Sequence, residues 1–296
     1  MSELTRRDLF KTAGATAAAT GAVTLGGPVP SLLAGQAPAA ATAAWNHDPA
    51  SPIGPLHWST LGFPVCGLAK GQSPVDIRTD RLAMYHGSPL LLMYERSEVR
   101  VGNTGHYVVV PIPAGADGTL RIGDDVYPLV QYHFHVPAEH AVNGRLPDLE
   151  AHFVHTNSRG VSAAIGVFYF IGRDPNPLLD AILLAAPETA GEEAPLGKAS
   201  PAELFRNIGG VSRTPSGALQ VESFYSYDGS LTTPGCAEGL LWSVLTDGGQ
   251  VSSAAVTRFH HLIARFPHYN GYPDNNRPLQ PLNGRIIRLR RGTGPE

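Results

Sequence analysis

Three histidines in two short segments have the residue type and spacing of a metal site. His133 and His135 alternate within Gln131–Val136, and His152 lies within Leu149–His155. Successive side chains of a β-strand point to opposite faces, so His133 and His135 would share one face, roughly 6.5–7 Å apart. Two imidazoles at that spacing can reach one ion. Three neutral imidazoles with one open position are the ligand set of a catalytic zinc site.

Two polar residues are placed to orient these imidazoles. Gln131 lies two residues before His133, and Glu150 lies two residues before His152, so each would share a face with its histidine. A ligating histidine usually donates its other N–H to an amide, a carboxylate or a backbone carbonyl. Alternating histidines also occur on strand surfaces and in hydrogen-bonded cores, and spacing alone leaves that alternative open.

Strands are predicted to position the cluster. The patterns indicate strands at Tyr127–Val136, Leu149–His155 and Ala163–Ile171, the last nearly all apolar and so typical of a strand buried on both faces. Asn143-Gly144, between the first two, is a hairpin signal. His152 is therefore expected beside the histidine pair on an antiparallel neighbour.

Helices are predicted to be few. The spacing indicates one at Pro177–Ala185, a start capped by Ser200, and an amphipathic helix over Ser253–Phe266. His260 and His261 lie on the last helix with no acidic neighbour in the sequence. They are interpreted as packing or surface residues.

Composition indicates one turn-rich, mostly β domain. The chain has 296 residues, 43% of them hydrophobic, with 33 glycines and 26 prolines, and its strand-like runs are short. We expect a single domain over residues 45–296 with a large central sheet. The formal net charge is −3 and no basic run follows the first eleven residues, so nucleic-acid binding has no electrostatic support.

The first 44 residues have the layout of an export signal. Arg6-Arg7 precedes a mild apolar run from residue 12 to about residue 33, and small residues follow at 37–44. This order is typical of a twin-arginine signal, so we expect export to the periplasm or the exterior. A membrane anchor or a chance arginine pair is the alternative. No later stretch of ~18 apolar residues predicts a membrane span in the mature chain.

The chain has two cysteines, Cys66 and Cys236. In an oxidising compartment an even count favours a disulfide, which here would join residues far apart in the sequence. Two buried free thiols are the alternative.

Further motifs follow in a fixed order from about residue 45 to residue 290. They are Gly54–Trp58, Gln72–Ile77, Asn103–His106, Gln131–His135, Ala138–His140, Glu150–His155, Gly229–Pro234 with Trp242, and Asn275–Pro278. This set closely resembles the α-class carbonic anhydrases, in particular their exported bacterial branch. The resemblance implies a large, mostly antiparallel, ten-stranded twisted sheet with short peripheral helices. It also matches Cys66 and Cys236 to the disulfide of exported members.

The resemblance implies that zinc catalyses the reversible hydration of CO2 to bicarbonate and a proton. It assigns the zinc ligands as His133, His135 and His152, and their orienting partners as Gln131, Glu150 and the backbone carbonyl of Asn275. Zinc-bound hydroxide would attack CO2, with the hydroxide oriented by Thr232, which donates its own hydrogen bond to Glu139. Thr233 would lie beside the incoming ligand, and His106 would shuttle the proton to solvent.

The resemblance also implies an apolar wall for CO2, formed by Val154, Ala164, Leu231 and Trp242. Ala164 replaces a commonly larger residue, which favours a roomier pocket. His47 follows Trp45 where relatives often have a tyrosine that orders water, although the register there is open. Two other functions are considered: a zinc esterase and a non-catalytic binding domain, whose known examples lack zinc histidines. A homodimer is expected by analogy alone.

Overall fold

The computed structural model of the protein describes residues 43–113 and 115–292. Apart from its last two residues, the predicted export signal lies outside this range. Within the described range, no helix is long and apolar enough to cross a membrane.

Strands dominate the described residues. The seventeen described strands are β1 Asp76–Ile77, β2 Ala83–Met84, β3 Leu90–Tyr94, β4 Ser97–Asn103, β5 Val108–Pro111, β6 Gly118–Ile122, β7 Asp125–His135, β8 Ala141–Val142, β9 Leu149–Thr156, β10 Ser162–Ile171, β11 Glu193–Ala199, β12 Val211–Arg213, β13 Leu219–Val221, β14 Phe224–Ser230, β15 Glu238–Leu245, β16 Gly249–Val251 and β17 Arg288–Arg290. The described α-helices are α1 Val65–Leu68, α2 Pro177–Ala185 and α3 Ser253–Ile263. In the described part of the chain, two 3-10 helices cover Trp58–Leu61 and Pro201–Phe205.

One large sheet contains fifteen of the described strands, and β1 and β8 form a separate parallel pair. The predicted mostly β fold is confirmed. The sheet has more than the expected ten strands because short strands such as β2 and β12 extend it at its edges. It is mainly antiparallel, but β10 pairs in parallel with β15 and β16, and β17 with β2.

The centre of the sheet is formed by β7, β9 and β10, which match the predicted strands. β7 and β9 are antiparallel, with His133 directly opposite His152. The turn between them is at Asn143 and Gly144, which both have positive φ, as the hairpin signal predicted. Neighbouring β-strands lie close together, so this register brings the two segments of the histidine cluster side by side.

The two faces of the central strands have different roles. Tyr132, Phe134 and Phe153 point into the larger hydrophobic core, to which α2 and α3 also contribute. The alternate residues, including His133 and His152, point to the opposite face. The alternation expected from the sequence is confirmed, and it separates a packed core from a polar pocket.

The helices match their predicted starts. Asn176 caps α2, and its side chain accepts hydrogen bonds from the backbone N–H groups of Leu178 and Leu179. Ser200 forms a capping box with Glu203. α3 ends at Ile263, three residues before the predicted Phe266, because the chain leaves the helix in a series of turns.

Cys66 and Cys236 form a disulfide, as expected, with 5.1 Å between their Cα atoms. The bridge packs with Trp45 and Trp58 in a small cluster of its own. It joins the irregular first part of the domain to the loop that follows β14.

Candidate metal centre

The three predicted histidines meet in one buried cluster. One ring nitrogen from each of His133, His135 and His152 lies within 4.8 Å of the others, as a shared ion requires. The centroid of the His152 ring is 5.2 Å from that of His133 and 4.6 Å from that of His135. β7 contributes two of these imidazoles and β9 the third, so the site is built on the two central strands.

Hydrogen bonds to the outer nitrogens determine which nitrogen of each ring faces the site. His133 Nδ1 lies 2.9 Å from Gln131 Oε1, and His135 Nδ1 lies 2.8 Å from the backbone oxygen of Asn275. A carbonyl oxygen only accepts, so both Nδ1 atoms carry the proton. His135 Nε2 is buried and has no partner among the described residues. The inner nitrogens of His133 and His135 are therefore lone-pair donors.

The His152 ring has the opposite orientation, with Nε2 rather than Nδ1 on the outer side. Its Nε2 lies 3.0 Å from Glu150 Oε1, outside the angular range of a hydrogen bond, which leaves Nδ1 on the inner side. The predicted pairing of Glu150 with His152 is thus present at ion-pair distance.

Burial lowers the pKa of two of the three imidazoles. It lowers the pKa of His133 well below its usual value, and the neighbouring His135 and His152 lower it further. Burial also lowers the pKa of His135. Metal ligation needs unprotonated imidazoles, so these pKa directions favour ligation at neutral pH.

Glu150 carries the negative charge behind the cluster. Burial alone would raise its pKa, but the facing His140 and His152 outweigh burial and hold the pKa well below its usual range. Its Oε2 accepts backbone N–H bonds from Glu139 and His140 at 2.9 and 2.8 Å. Gly166 faces it from β10, where a Cβ would come within 2.6 Å of Glu150 Oε1. These contacts restrain both oxygens of the Glu150 carboxylate.

His140 is a site residue to which the sequence assigned no role. Its Nδ1 lies 2.8 Å from Glu150 Oε1, and its Nε2 lies 2.7 Å from the Tyr227 hydroxyl, which donates to Ser73. Ser73 Oγ in turn accepts from the backbone N–H of Ser230, at the end of β14. A buried polar chain therefore joins Glu150 to the loop that carries Thr232. In the sequence, His140 and Ser73 appear only as members of the motifs Ala138–His140 and Gln72–Ile77.

Glu139 lies next to the imidazoles. Its Oε1 accepts the backbone N–H of Arg277 at 2.8 Å, and its Oε2 lies 3.8 Å from His152 Nδ1. Oε2 has no hydrogen-bond partner within the described ranges. Thr232 is buried two residues beyond β14, but the hydrogen bond predicted from it to Glu139 is not among the contacts of the described side chains. Thr233 is half-buried beside it.

The predicted apolar wall lies beside the cluster. Val154, Ala164 and Trp242 are aligned across β9, β10 and β15. Leu231 packs on the same apolar group as Trp242. The Trp242 ring centroid is 4.7 Å from that of His152, so the wall adjoins the histidine cluster.

His47 and His106 both contact the Trp45 ring near the histidine cluster. His106 stacks on Trp45 with 3.6 Å between ring centroids, and burial, with a smaller effect from His268, lowers its pKa to about 4. His47 is fully buried, its ring centroid is 6.5 Å from that of His135, and its Nδ1 pairs with the Tyr269 hydroxyl. The sequence left the placement of His47 open.

His260 differs from its interpretation. The sequence showed no acidic neighbour, yet His260 Nδ1 lies 3.1 Å from Asp274 Oδ1. Asp274 is fourteen residues further on, and the turns after α3 bring it back to the helix. Its neighbour His261 is exposed, as expected.

Comparison with known proteins agrees with this geometry. A family model for eukaryotic-type carbonic anhydrase matches residues 53–291. The chain belongs to the α-type carbonic anhydrase family. It is 33% identical over 236 residues to alpha carbonic anhydrase 4 of Arabidopsis thaliana, covering 79% of this chain and 81% of the relative. It is also 33% identical over 235 residues to a carbonic anhydrase of Pectobacterium carotovorum, covering 79% and 86% of the two chains.

Solved structures give the same family. An α-carbonic anhydrase from Thermovibrio ammonificans, in complex with the inhibitor sulfanilamide, superposes with a TM-score of 0.71 at 32% identity. The match covers 84% of this chain and 100% of that one. The chain is therefore an enzyme of the carbonic anhydrase family, and the activity of this family is the hydration of CO2.

Proposed function

We propose that the protein hydrates CO2 reversibly with a zinc ion held by His133, His135 and His152. The observation that carries the proposal is the convergence of three buried imidazole nitrogens within 4.8 Å. His133 Nε2, His135 Nε2 and His152 Nδ1 would be the ligand atoms, since the opposite nitrogens face Gln131, Asn275 and Glu150.

The residues fit the metal. His135 Nε2 is a buried nitrogen without a partner in the described part of the chain, which is costly unless a ligand occupies it. Three neutral imidazoles suit zinc, and Glu150 supplies a compensating charge behind His152. Zinc supplies a nucleophile at neutral pH by lowering the pKa of a bound water to about 7, a value for which carbonic anhydrase is itself the reference case.

The side chains around the metal position would hold and orient the reactants. CO2 is uncharged and apolar, so the wall of Val154, Ala164 and Trp242 can hold it loosely beside the cluster. Thr232 would orient the attacking oxygen, and its hydroxyl would donate a hydrogen bond to the unpartnered Oε2 of Glu139. This contact would form when the site is filled.

His106 would carry the released proton to solvent. In its stacked position its pKa of about 4 is too low for efficient acceptance near neutral pH. An imidazole exposed to water has a pKa near 6.5, so His106 would accept the proton after its ring leaves Trp45. His47, which is buried between His135 and Tyr269, would line the path.

The test is to measure zinc content and CO2-hydration rate of the purified protein, before chelation, after it and after zinc is added back. We expect about one zinc per chain, loss of activity on chelation and recovery on reloading. A metal-free protein as active as the loaded one would contradict the proposal. Ester hydrolysis measured in parallel would identify a zinc esterase if it exceeded CO2 hydration, and zinc binding without either activity would indicate a binding domain.

We further propose that residues 1–44 direct export and that residues 45–296 form the mature enzyme. The Cys66–Cys236 disulfide supports an oxidising compartment. N-terminal sequencing of the periplasmic protein tests this, and an uncleaved cytoplasmic chain would contradict it. A homodimer remains a prediction from the resemblance.

A further inference from the structure

His260 joins a well-anchored helix to an irregular segment. Five apolar residues hold α3 in the core: Ala255, Val256, Phe259, Leu262 and Ile263. His260 is half-buried on that helix, and its Nδ1 lies 3.1 Å from both the Pro273 backbone oxygen and Asp274 Oδ1. Both oxygens only accept, so Nδ1 carries the proton and contacts two consecutive residues of the segment.

The segment beyond this contact completes the metal centre. Residues 272–282 form neither helix nor strand, so no ladder of backbone hydrogen bonds sets their position. Asn275, directly after Asp274, offers its backbone oxygen to His135 Nδ1 at 2.8 Å. Two residues later, the backbone N–H of Arg277 donates to Glu139. A small displacement of this segment would therefore move the hydrogen-bond partners of His135, a proposed zinc ligand, and of Glu139.

We propose that His260 is a positioning residue of the metal centre. Its imidazole fixes Asp274 against α3, and thereby the Asn275 backbone oxygen against His135. The inference rests on the proposed zinc site. The Asn275 side chain is also hydrogen-bonded to the backbone of Phe134 in β7 and of Val136 directly after it. The contact with His260 therefore adds a further restraint to a segment that is already held in place.

The contact is sensitive to pH. The neighbouring Asp274 carboxylate raises the pKa of His260, and the hydrogen bond to the Pro273 carbonyl adds to this effect, while partial burial opposes it. Within the described ranges, Tyr272 also faces Asp274. Burial, followed by Asp274 and Asp48, raises its pKa to about 12, so its hydroxyl stays neutral. Because its pKa is raised, His260 keeps its charge to a higher pH than a free imidazole does, and the charged pair is lost as pH rises through that pKa.

Release of zinc into a chelator tests the proposal. The variants are His260→Ala, His260→Arg, which keeps a cation at every pH, and His261→Ala, the exposed neighbour on the same helix. Near pH 6 we expect His260→Ala to release zinc roughly two- to fivefold faster than wild type, as loss of a partly exposed charged contact implies. His260→Arg and His261→Ala should release it at the wild-type rate. The difference in zinc release between His260→Ala and wild type should shrink as pH rises through the pKa of His260, because the wild-type pair then loses its charge.

A second measurement does not need the metal. In the metal-free protein, the His135 Nδ1 proton bonded to Asn275 should exchange with solvent faster in His260→Ala than in His261→Ala, as followed by NMR. If His260→Ala does not fold, Asp274→Asn replaces it in both measurements. Equal zinc release and equal proton exchange in the His260 and His261 variants would overturn the inference. A wild-type protein that binds no zinc would instead overturn the proposed function.

Discussion

The two faces of β9 carry histidines with very different surroundings. His152 and His155 are both fully buried and lie three residues apart on one strand. His152 faces two further imidazoles and the Glu150 carboxylate. His155 faces the hydrophobic core, where its Nε2 pairs with the Tyr94 hydroxyl at 2.8 Å and its Nδ1 has no partner among the described residues.

The difference shows that burial alone does not make a histidine a ligand. Burial lowers the pKa of His155 to about 3, so that residue is a neutral core side chain. His152 is proposed as a ligand because β7 places two further imidazoles beside it. We therefore expect substitutions on the His152 face of β9 to change metal binding and substitutions on the His155 face to change the stability of the fold.

Removing the imidazole on the site face should have the largest effect. In His152→Ala only two ligands remain, so we expect zinc content near zero and CO2 hydration at the uncatalysed rate. Metal analysis and a CO2-hydration assay measure this. His155→Gln is the matched control on the same strand and should retain both zinc and activity. A His152→Ala protein with full zinc content would refute the assigned ligand set.

Removing the imidazole on the core face should change the acid dependence of stability. The folded-state pKa of about 3 lies below the unfolded value of 6.5, so unfolding takes up a proton between these pH values. The free energy of unfolding therefore falls as pH falls through that window, by on the order of 3 kcal/mol from neutral pH to about pH 4.

His155→Gln can keep the bond to Tyr94 but does not titrate, so it should lose less stability on acidification. Urea unfolding of metal-free wild type and variant at the two pH values measures the difference. His261→Gln, at an exposed site, should behave like wild type. Identical acid sensitivity of His155→Gln and wild type would show that His155 is not responsible for the loss of unfolding free energy at low pH.

The smallest expected effect concerns two adjacent alanines of β10. Ala163 pairs with His155 and Ala164 with Val154, so they face the core and the pocket wall respectively. Ala164→Val should narrow the pocket and lower ester hydrolysis relative to CO2 hydration by roughly tenfold. Ala163→Val should cost about 1–3 kcal/mol of stability through overpacking and leave that ratio unchanged. Equal changes in the ratio of ester hydrolysis to CO2 hydration in both variants would show that substitutions on the core face of β10 also alter the pocket.

The sequence predicted the centre of the fold well because its signals were local. Alternation placed His133 and His135 on one face, and the Asn143-Gly144 turn brought His152 beside them. β7, β9, β10 and α2 lie where the pattern indicated. The short edge strands, two or three residues long, carry too little pattern to be detected.

Contacts between distant segments could not be read from local patterns. Asn275 was assigned through the resemblance alone, since 140 positions separate it from His135. His47 meets Tyr269 across 222 positions, and Asp274 reaches His260 through irregular turns. Such contacts depend on how loops close, which neither periodicity nor composition encodes.

The carbonyl contributed by Asn275 has a consequence for biosynthesis. All three imidazoles are present once residue 152 has been made, but the acceptor for His135 and the N–H donor to Glu139 come from residues 275 and 277. A nascent chain therefore carries the three proposed ligands long before their hydrogen-bond partners can align them. We expect tight metal binding only after translation has passed these residues, so that a chain that binds the ion tightly is one that is nearly complete.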